Sequence, residues 1–111
     1  MIEITVKQYL DEQLEVEVYA AVSPKHGDVY VTVEKTGGSY DHGMKTATLA
    51  IQSHAKTMYD AMQLNERVIR AMLLGLVKQD LISRVELNAT YNYTDDRKPR
   101  YQAVFDVVYF E

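Results

Sequence analysis

The last third of the chain contains two stretches in which apolar and polar residues alternate, with a short polar segment between them. The first stretch covers residues 84–93, the second covers residues 101–110, and Asp95-Asp96-Arg97-Lys98-Pro99 lies between them. Alternation with a period of two is typical of a β-strand with one buried face, and the polar segment has the composition of a turn. The pattern therefore predicts a long antiparallel hairpin, which must pack against further elements because a lone hairpin is only marginally stable in water.

The second strand of this hairpin is apolar on both of its faces. Val104, Val108 and Phe110 occupy the face opposite to that of Phe105 and Val107. A contiguous apolar strip on a sheet is usually covered by another element or by a partner. Either the first helix of the chain or another subunit covers this strip.

Two segments carry apolar residues at helical spacing. Residues 5–13 begin with Thr5 and Gln8 in the form of a capping box and predict a short helix that needs packing to be stable. Residues 57–76 predict an amphipathic helix of about 20 residues, close to 30 Å long, with Gly75 at its fraying end or in its cap. The stripe expected to face the core, with Ala61, Asn65 and Val68 beside it, consists of Met58, Met62, Ile69, Met72, Leu73 and Leu76.

Three shorter segments, residues 16–20, 29–35 and 46–53, have strand-like patterns. A turn is predicted between the first two at residues 23–28, where turn-forming residues interrupt the alternation. Residues 37–43 contain three of the five glycines, and they predict an exposed, adaptable loop that is too irregular for a tight hairpin turn.

The predicted elements follow one another as helix, three strands, long helix and two strands. This order, with few long connections, predicts an α+β fold, in which one long and one short helix pack on one face of an antiparallel sheet of about four to five strands. A chain of 111 residues with 47% hydrophobic and 25% charged residues fits one domain over residues 1–111. Folding of such a chain buries roughly 65% of its unfolded surface, which is enough for one core.

Composition argues against several classes of partner. The chain has no cysteine, which removes disulfides and thiolate chemistry, and synthesis in a reducing cytoplasm is expected. Residues 1–10 do not resemble a signal peptide, and no stretch approaches the ~20 apolar residues of a membrane span. The formal net charge of −4 argues against a general affinity for nucleic acid. We therefore expect neither membrane nor direct nucleic-acid recognition.

No motif predicts a catalytic or metal site. Residues 38–46 approach a phosphate-binding P-loop, but Met44 interrupts the required Gly-Lys pair and a strand pattern follows where the motif needs a helix. The three histidines, His26, His42 and His54, have no second ligand at helical spacing that would form a metal pair. No two carboxylates and no serine elbow stand out either. We expect no enzymatic activity, no cofactor and no metal.

Two compositional features suggest contacts. The chain has nine tyrosines and no tryptophan, and tyrosine is enriched at interfaces because it combines apolar area with a hydroxyl group. The tyrosines of the final hairpin either form such a surface or line the sheet face under the long helix; these are Tyr91, Tyr93, Tyr101 and Tyr109. Arg97, Lys98 and Arg100 form a basic spot at the hairpin tip, which either docks an acidic partner or a phosphate, or keeps the turn solvated.

Four strings in the sequence carry a resemblance to a known group of proteins. They are Glu34-Lys35-Thr36-Gly37-Gly38-Ser39, Ala50-Ile51-Gln52-Ser53, Tyr91-Asn92-Tyr93-Thr94-Asp95 and Arg100-Tyr101-Gln102-Ala103-Val104-Phe105. In this order they resemble small structural proteins of tailed phages and prophages of Gram-positive bacteria. The order of helices and strands is also similar to that of phage tail terminator, or tail completion, proteins.

The resemblance implies a virion structural protein, located in the tail or neck, that forms a ring of six on the end of the tail tube and provides the head–tail joining surface. Its partners would be copies of itself, the tail tube protein and the head–tail connector proteins. The residues expected at these contacts are Gly37, Gly38, Tyr40, Arg97, Arg100, Val104, Val108 and Phe110. Two other interpretations stay open: another phage neck or minor tail component, and a bacterial small-molecule or peptide-binding regulatory domain with a concave apolar pocket.

Overall fold

The computed structural model describes residues 1–20 and 25–110, and within these ranges the chain forms two α-helices, a 3₁₀ turn and five strands. The elements are helix α1 (Ile2–Leu14), strands β1 (Glu17–Tyr19), β2 (Tyr30–Asp41) and β3 (Met44–His54), helix α2 (Met58–Leu74), a 3₁₀ turn (Leu76–Lys78), and strands β4 (Ile82–Asn92) and β5 (Arg100–Phe110). The predicted α+β class and the predicted order of elements are confirmed. The first two residues of the turn predicted at 23–28 lie outside the described residues.

The five strands form one sheet in the order β1-β2-β3-β5-β4. The pairs β2–β3, β3–β5 and β4–β5 are antiparallel, as predicted, but β1 pairs with β2 in parallel. The sheet is therefore mixed. Alternation in a sequence reports which residues are buried and not the direction of a strand, so this parallel pair could not be read from the pattern.

Both helices pack on the same face of the sheet, which we call the helix-covered face. Helix α1 contacts β1, β2 and α2, whereas α2 contacts β3, β4 and β5. On β5 this face carries Ala103, Phe105 and Val107, all of which are fully buried in the core. The expectation of helices on one side of the sheet is confirmed.

Helix α2 begins at a capping residue, Thr57, whose hydroxyl oxygen accepts a hydrogen bond of 3.1 Å from the backbone N–H of Asp60. Its buried side consists of Ala61, Leu64, Asn65, Val68 and Met72. The predicted core stripe is wrong in part, because Met58, Met62 and Leu73 are each more than a third exposed. Ala61, Leu64 and Asn65 are buried instead, and Asn65 Nδ2 donates a 2.8 Å hydrogen bond to Thr90 Oγ1 on β4.

Two hydrogen bonds join helix α1 to helix α2. The hydroxyl of Tyr9 donates a 2.7 Å hydrogen bond to the carbonyl oxygen of Ala71, and Arg67 Nη2 donates one of 2.5 Å to the carbonyl oxygen of Leu14. Gly75 caps α2 at this crossing, where a Cβ atom would overlap the Tyr9 hydroxyl. Glycine is therefore required by the close approach of the two helices.

The start of α1 differs from the prediction, since the helix begins at Ile2 and not at Thr5. Ile2 is buried on the same stripe as Val6 and Leu10, so the packing of the first turn extends the helix. Thr5 is consequently inside the helix, and its hydroxyl donates a 3.3 Å hydrogen bond to the carbonyl oxygen of Met1. The capping box predicted at Thr5 is wrong.

The glycine-rich segment is a strand and not a loop. Strand β2 runs through Gly37 and Gly38 to Asp41, and a two-residue turn at His42 and Gly43 joins it to β3. Both turn residues have positive φ, 50° and 85°, as a type I′ hairpin turn requires. A Cβ atom on Gly38 would lie 2.8 Å from the carbonyl oxygen of Thr46, so glycine permits the close pairing with β3. The expected irregular loop is thus wrong, because His-Gly satisfies the turn geometry.

A bulge between Leu87 and Ala89 changes the faces of strand β4. Before the bulge Val85 and Leu87 pack against the core, and after it Thr90 points toward α2 while Tyr91 lies on the opposite face. The unbroken alternation predicted for residues 84–93 is therefore wrong. Of the hairpin tyrosines, Tyr109 is buried under the helices, whereas Tyr91 and Tyr93 face away from them.

Candidate interaction surfaces

The face of the sheet opposite to the helices, which we call the helix-free face, carries Val104, Val108 and Phe110 of β5. Helix α1 packs on the other face, so the first of the two covers considered for these residues is wrong. Val104 and Val108 are half-buried among their neighbours on the sheet, and Phe110 is 44% exposed. This strip is an apolar surface without a helix above it.

The neighbours of the strip are small or apolar near Val104 and Phe110. Val104 lies between Ala50 of β3 and Ala89 of β4 in the strand register, and Phe110 lies beside Met44, which is 41% exposed. Val108 has Thr46 on one side and Arg84 on the other. The apolar area is therefore largest at the Phe110 end of the sheet.

Polar residues between these apolar positions are hydrogen-bonded to one another. Asp106 accepts hydrogen bonds of 2.8 Å from Thr48 Oγ1 and from Asn88 Nδ2. Gln102 accepts a 2.9 Å hydrogen bond from Gln52 Nε2 and donates one of 2.6 Å to the hydroxyl of Tyr91. Because these side chains are held by their neighbours, the helix-free face is an ordered surface.

Open strand edges border the helix-free face on two sides. Strand β1 pairs only with residues 30–32 of β2, so in the part of the chain that the structure describes the rest of β2 has no strand on its outer side. Gly37, Gly38 and Tyr40, which the sequence indicated as contact residues, lie on this open edge, and Tyr40 is 68% exposed. The opposite edge is β4, which is interrupted by two bulges, whereas β2 has one, between Lys35 and Gly37. Bulges hinder pairing with further strands, so the regular part of β2 near Tyr40 is the better edge for strand addition.

Three of the predicted contact residues, Tyr40, Phe110 and Arg100, lie at two ends of the sheet that are far apart. Tyr40 pairs with Lys45 near the end where Met44 lies beside Phe110, whereas Arg100 lies beside His54 at the other end. With 11 residues in β5, the two ends are separated by roughly 33 Å. They cannot contact one small ligand together, but they can contact two different partners.

Arg100 is held in place at its end of the sheet. Its Nε donates a 2.6 Å hydrogen bond to the carbonyl oxygen of Tyr93, its guanidinium lies 4.7 Å from the centre of the Tyr93 ring, and Asp95 forms an ion pair with it at 3.5 Å. Arg97 lies in the tight turn before β5, where Asp96 and Arg97 have φ of 50° and 63°. The basic residues of the hairpin tip therefore form two separate surfaces. One is Arg100, which is held by Tyr93 and Asp95, and the other is the exposed turn that bears Arg97.

Three rings stack beside this turn in an arrangement that the sequence did not suggest. The ring of Tyr30 lies 4.2 Å from that of His54, nearly parallel to it, and 4.0 Å from that of His26. Burial, followed by the charges of Arg100 and His26, lowers the pKa of His54 from 6.5 to about 4. Burial likewise raises the pKa of Tyr30. His26 lies 28 residues before His54 in the chain, so only the sheet register brings these rings together.

A cleft lies at the end of the molecule opposite to these rings, between the start of α1 and the start of β4. It has a volume of about 210 Å³ and a largely apolar lining that includes Met1, Ile2, Leu81, Ile82 and Phe110. Small-molecule pockets usually have volumes of about 300–1,000 Å³, so this cleft is small for that role.

In residues 1–20 and 25–110, no helix is long and apolar enough to cross a membrane. No three side chains of His, Cys, Asp or Glu there are placed to hold a metal ion. Asp41 and His42 do form a pair at 3.0 Å, but both are highly exposed at the β2–β3 turn.

Neither a protein-family model nor a curated protein matches this chain. Its function has to be inferred from the surfaces described above.

Proposed function

We propose that this protein is a structural component of a tailed-phage virion, which forms a ring on the end of the tail tube and provides the surface that joins the head. The observation that carries the proposal is the open outer edge of β2, which borders a helix-free face bearing Val104, Val108 and Phe110. The resemblance of the four sequence strings to phage structural proteins supports the same role. In this role the protein acts through its surfaces and not as an enzyme.

A closed ring needs a heterologous contact, in which one patch of a subunit binds a different patch of the next. The outer edge of β2 and the β5–β4 side of the helix-free face are two such patches, because β3 separates them in the sheet. The residues of β2 near Tyr40 would add main-chain hydrogen bonds, and Val108 and Phe110 would add apolar contact. The ring of six expected from the resemblance would repeat this contact around its axis.

The two ends of the sheet supply the surfaces for the other partners. The β2–β3 turn lies at one end, and Arg97 lies at the other. We assign one end to the tail tube protein and the other to the head–tail connector. The location that follows is the tail or neck of the virion, after synthesis in the cytoplasm of the bacterial host. Neither contact requires a membrane or recognition of a nucleic-acid sequence.

Two alternatives compete with this role. A bacterial small-molecule or peptide-binding regulatory domain would need a concave apolar pocket. The apolar cleft beside Met1 and Leu81 has a volume of about 210 Å³ and the cleft beside Tyr30 and His54 one of about 270 Å³, and both are below the usual range. Another neck or minor tail component would share the ring and differ only in its axial partners. The first alternative needs no assembly at all, and the second needs no contact with the tube end.

Binding to purified tail tubes tests the proposal directly. Tubes mixed with gold-labelled protein should carry the label at one end only when viewed by negative-stain electron microscopy. Val108→Asp should abolish end labelling, because it places a charge in the subunit contact. Val77→Asp, at an exposed position on the 3₁₀ turn, is the matched control and should label normally. Label along the tube wall, or equal labelling by the two variants, would contradict the proposal.

A further inference from the structure

We propose that the cleft between the β4–β5 turn and the end of β3 binds an oxyanion, a carboxylate or a phosphate group, through Arg97, Lys98 and His26. This inference goes beyond the proposed function and does not depend on ring formation.

The cleft is formed by segments that meet only in the folded protein. It has a volume of about 270 Å³ and is lined by His26, Gly27, Asp28, Tyr30, His54, Ala55, Arg97, Lys98 and Pro99. One wall consists of the stacked rings of Tyr30 and His54, and the other is the turn that bears Arg97 and Lys98. The volume is sufficient for a phosphate or carboxylate together with part of the molecule that carries it.

The cationic side chains of the turn carry N–H donors that a ligand in the cleft can use. Within the described residues, neither the guanidinium of Arg97 nor the ammonium of Lys98 forms an ion pair, in contrast to Arg100, which is bound to Asp95 and Tyr93. Asp28 is the one carboxylate in the cleft lining, and it lies 3.8 Å from the ammonium of Lys56. The lining therefore carries an excess of positive charge on a protein whose net charge is −4.

His26 is oriented to add a further donor. Its Nδ1 lies 2.8 Å from the carbonyl oxygen of Gly27, a contact that requires the proton on Nδ1. In the imidazolium form the ring also carries a proton on Nε2, which is a second donor. Arginine, lysine and imidazolium donors to an oxyanion form charge-assisted hydrogen bonds, which are stronger than neutral ones.

His54 lines the cleft, and its pKa should respond to the charge that the cleft contains. Its Nε2 is buried and has no hydrogen-bond partner among the described residues, so it does not reach a ligand directly. Burial comes first among the causes that lower its pKa, and the positive charges of Arg100 and His26 come next. Tyr30, Asp28 and the two cations of the turn are the other titratable groups around it. An anion in the cleft would offset these positive charges and raise the pKa of His54.

NMR of the whole chain tests the proposal. At pH 6.5 and at an ionic strength held constant with sodium chloride, the protein is titrated with inorganic phosphate and, separately, with acetate. The imidazole signals of His26 and His54 should change in a saturable manner, while that of His42, at the far end of the sheet, should not. A response to phosphate alone identifies a phosphate site, a response to acetate alone a carboxylate site, and a response to both a general oxyanion site.

Variants separate a specific site from general charge. Arg97→Gln with Lys98→Gln should weaken the response by about tenfold or more, since it removes two charge-assisted contacts. Arg70→Gln with Lys78→Gln removes the same charge from exposed positions elsewhere and should leave the response unchanged. In sodium sulfate, whose anion stays charged at low pH, the pKa of His54 should rise above its value of about 4.

Three results would overturn the proposal: no saturable change with either anion, equal changes at all three histidines, or equal effects of the two double variants. The amide spectrum of each variant shows whether it is folded, so loss of the response is not confused with unfolding. None of these outcomes bears on the ring.

Discussion

The two faces of strand β5 differ in what they contribute to the protein. On the helix-covered face Ala103, Phe105 and Val107 are fully buried beneath α1 and α2. On the helix-free face the same strand presents Val104 and Val108, which are only half-buried. Residues one position apart in the chain therefore have different roles, since successive side chains of a strand point to opposite faces.

We expect this difference to separate the residues that stabilise the fold from those of the proposed subunit contact. The helix-covered face holds the helices and accounts for most of the apolar burial, so changes there should unfold the protein. The helix-free face is kept in order by hydrogen bonds, such as those of Gln102 and Asp106, and it leaves apolar area for a partner. Changes there should alter assembly more than stability.

The largest effect is expected from truncation of the core phenylalanine. Phe105→Ala should lower the free energy of unfolding by about 3–5 kcal/mol, because it leaves a cavity under the helices. Phe110→Ala changes a residue five positions further along β5 and on the other face. It should lower the free energy of unfolding by less than about 1 kcal/mol because the ring is already half-exposed. Urea denaturation of both variants measures the contrast. Equal losses would show that the two faces do not differ in this way.

The crossing of the two helices should give an intermediate effect. Gly75→Ala forces the Tyr9 hydroxyl away from the Ala71 carbonyl oxygen, and we expect a loss of about 2 kcal/mol. Tyr9→Phe removes the clashing hydroxyl, so the double variant should lose less than the sum of the two single losses. A double-mutant cycle based on denaturation measures this coupling. Additive losses would contradict the described contact.

His54 makes the stability of the folded protein depend on pH. Its pKa is about 4 in the folded protein and 6.5 in the unfolded chain, so the unfolded chain binds a proton first as the pH falls. The stability from neutral His54 is complete above pH 6.5, declines as the pH falls toward about 4, and changes no further below that.

The expected loss between pH 7 and pH 4.5 is about 1–2 kcal/mol, after allowance for solvent screening of the partly exposed ring. His54→Gln should remove this part of the pH dependence, whereas His42→Gln should retain it because that side chain is 95% exposed. Free energies of unfolding at the two pH values provide the measurement. A slope that is the same in both variants would show that His54 is not the responsible group.

The smallest effect on stability is expected at the proposed subunit contact. Val108→Asp should cost about 1 kcal/mol or less, because the position is partly exposed and the new carboxylate lies beside Arg84 in the strand register. Its thermal melting curve should therefore remain cooperative and close to that of the wild type. A loss as large as that of Phe105→Ala would place Val108 in the core.

The sequence predicted the elements whose patterns depend on burial by one face. Helix α2 and the β4–β5 hairpin are examples, because apolar spacing reports directly which residues meet the core. It did not predict the strand through Gly37 and Gly38, since glycine has no side chain to show alternation. The type I′ turn at His42 and Gly43 was missed for a related reason, as backbone φ is not visible in a pattern of hydrophobicity.

The surfaces were predicted less completely than the fold. The apolar strip of Val104, Val108 and Phe110 was predicted because the sequence of this strand is apolar on both of its faces. The shift of Tyr91 to the helix-free face depends on one bulge, which changes the side-chain pattern without any distinctive residue. The ring stack of His26, Tyr30 and His54 depends on strand register, so no local motif could show it.

The most direct test of the central claim is the assembly state of wild type, Val108→Asp and Val77→Asp, measured by analytical ultracentrifugation with negative-stain electron microscopy. The samples are compared at matched concentrations, with circular dichroism as the check on folding. We expect closed rings of one size for the wild type and for Val77→Asp, and folded monomers for Val108→Asp. A wild type that stays monomeric at every concentration, or rings that persist in Val108→Asp, would contradict the assignment of the helix-free face as the subunit contact.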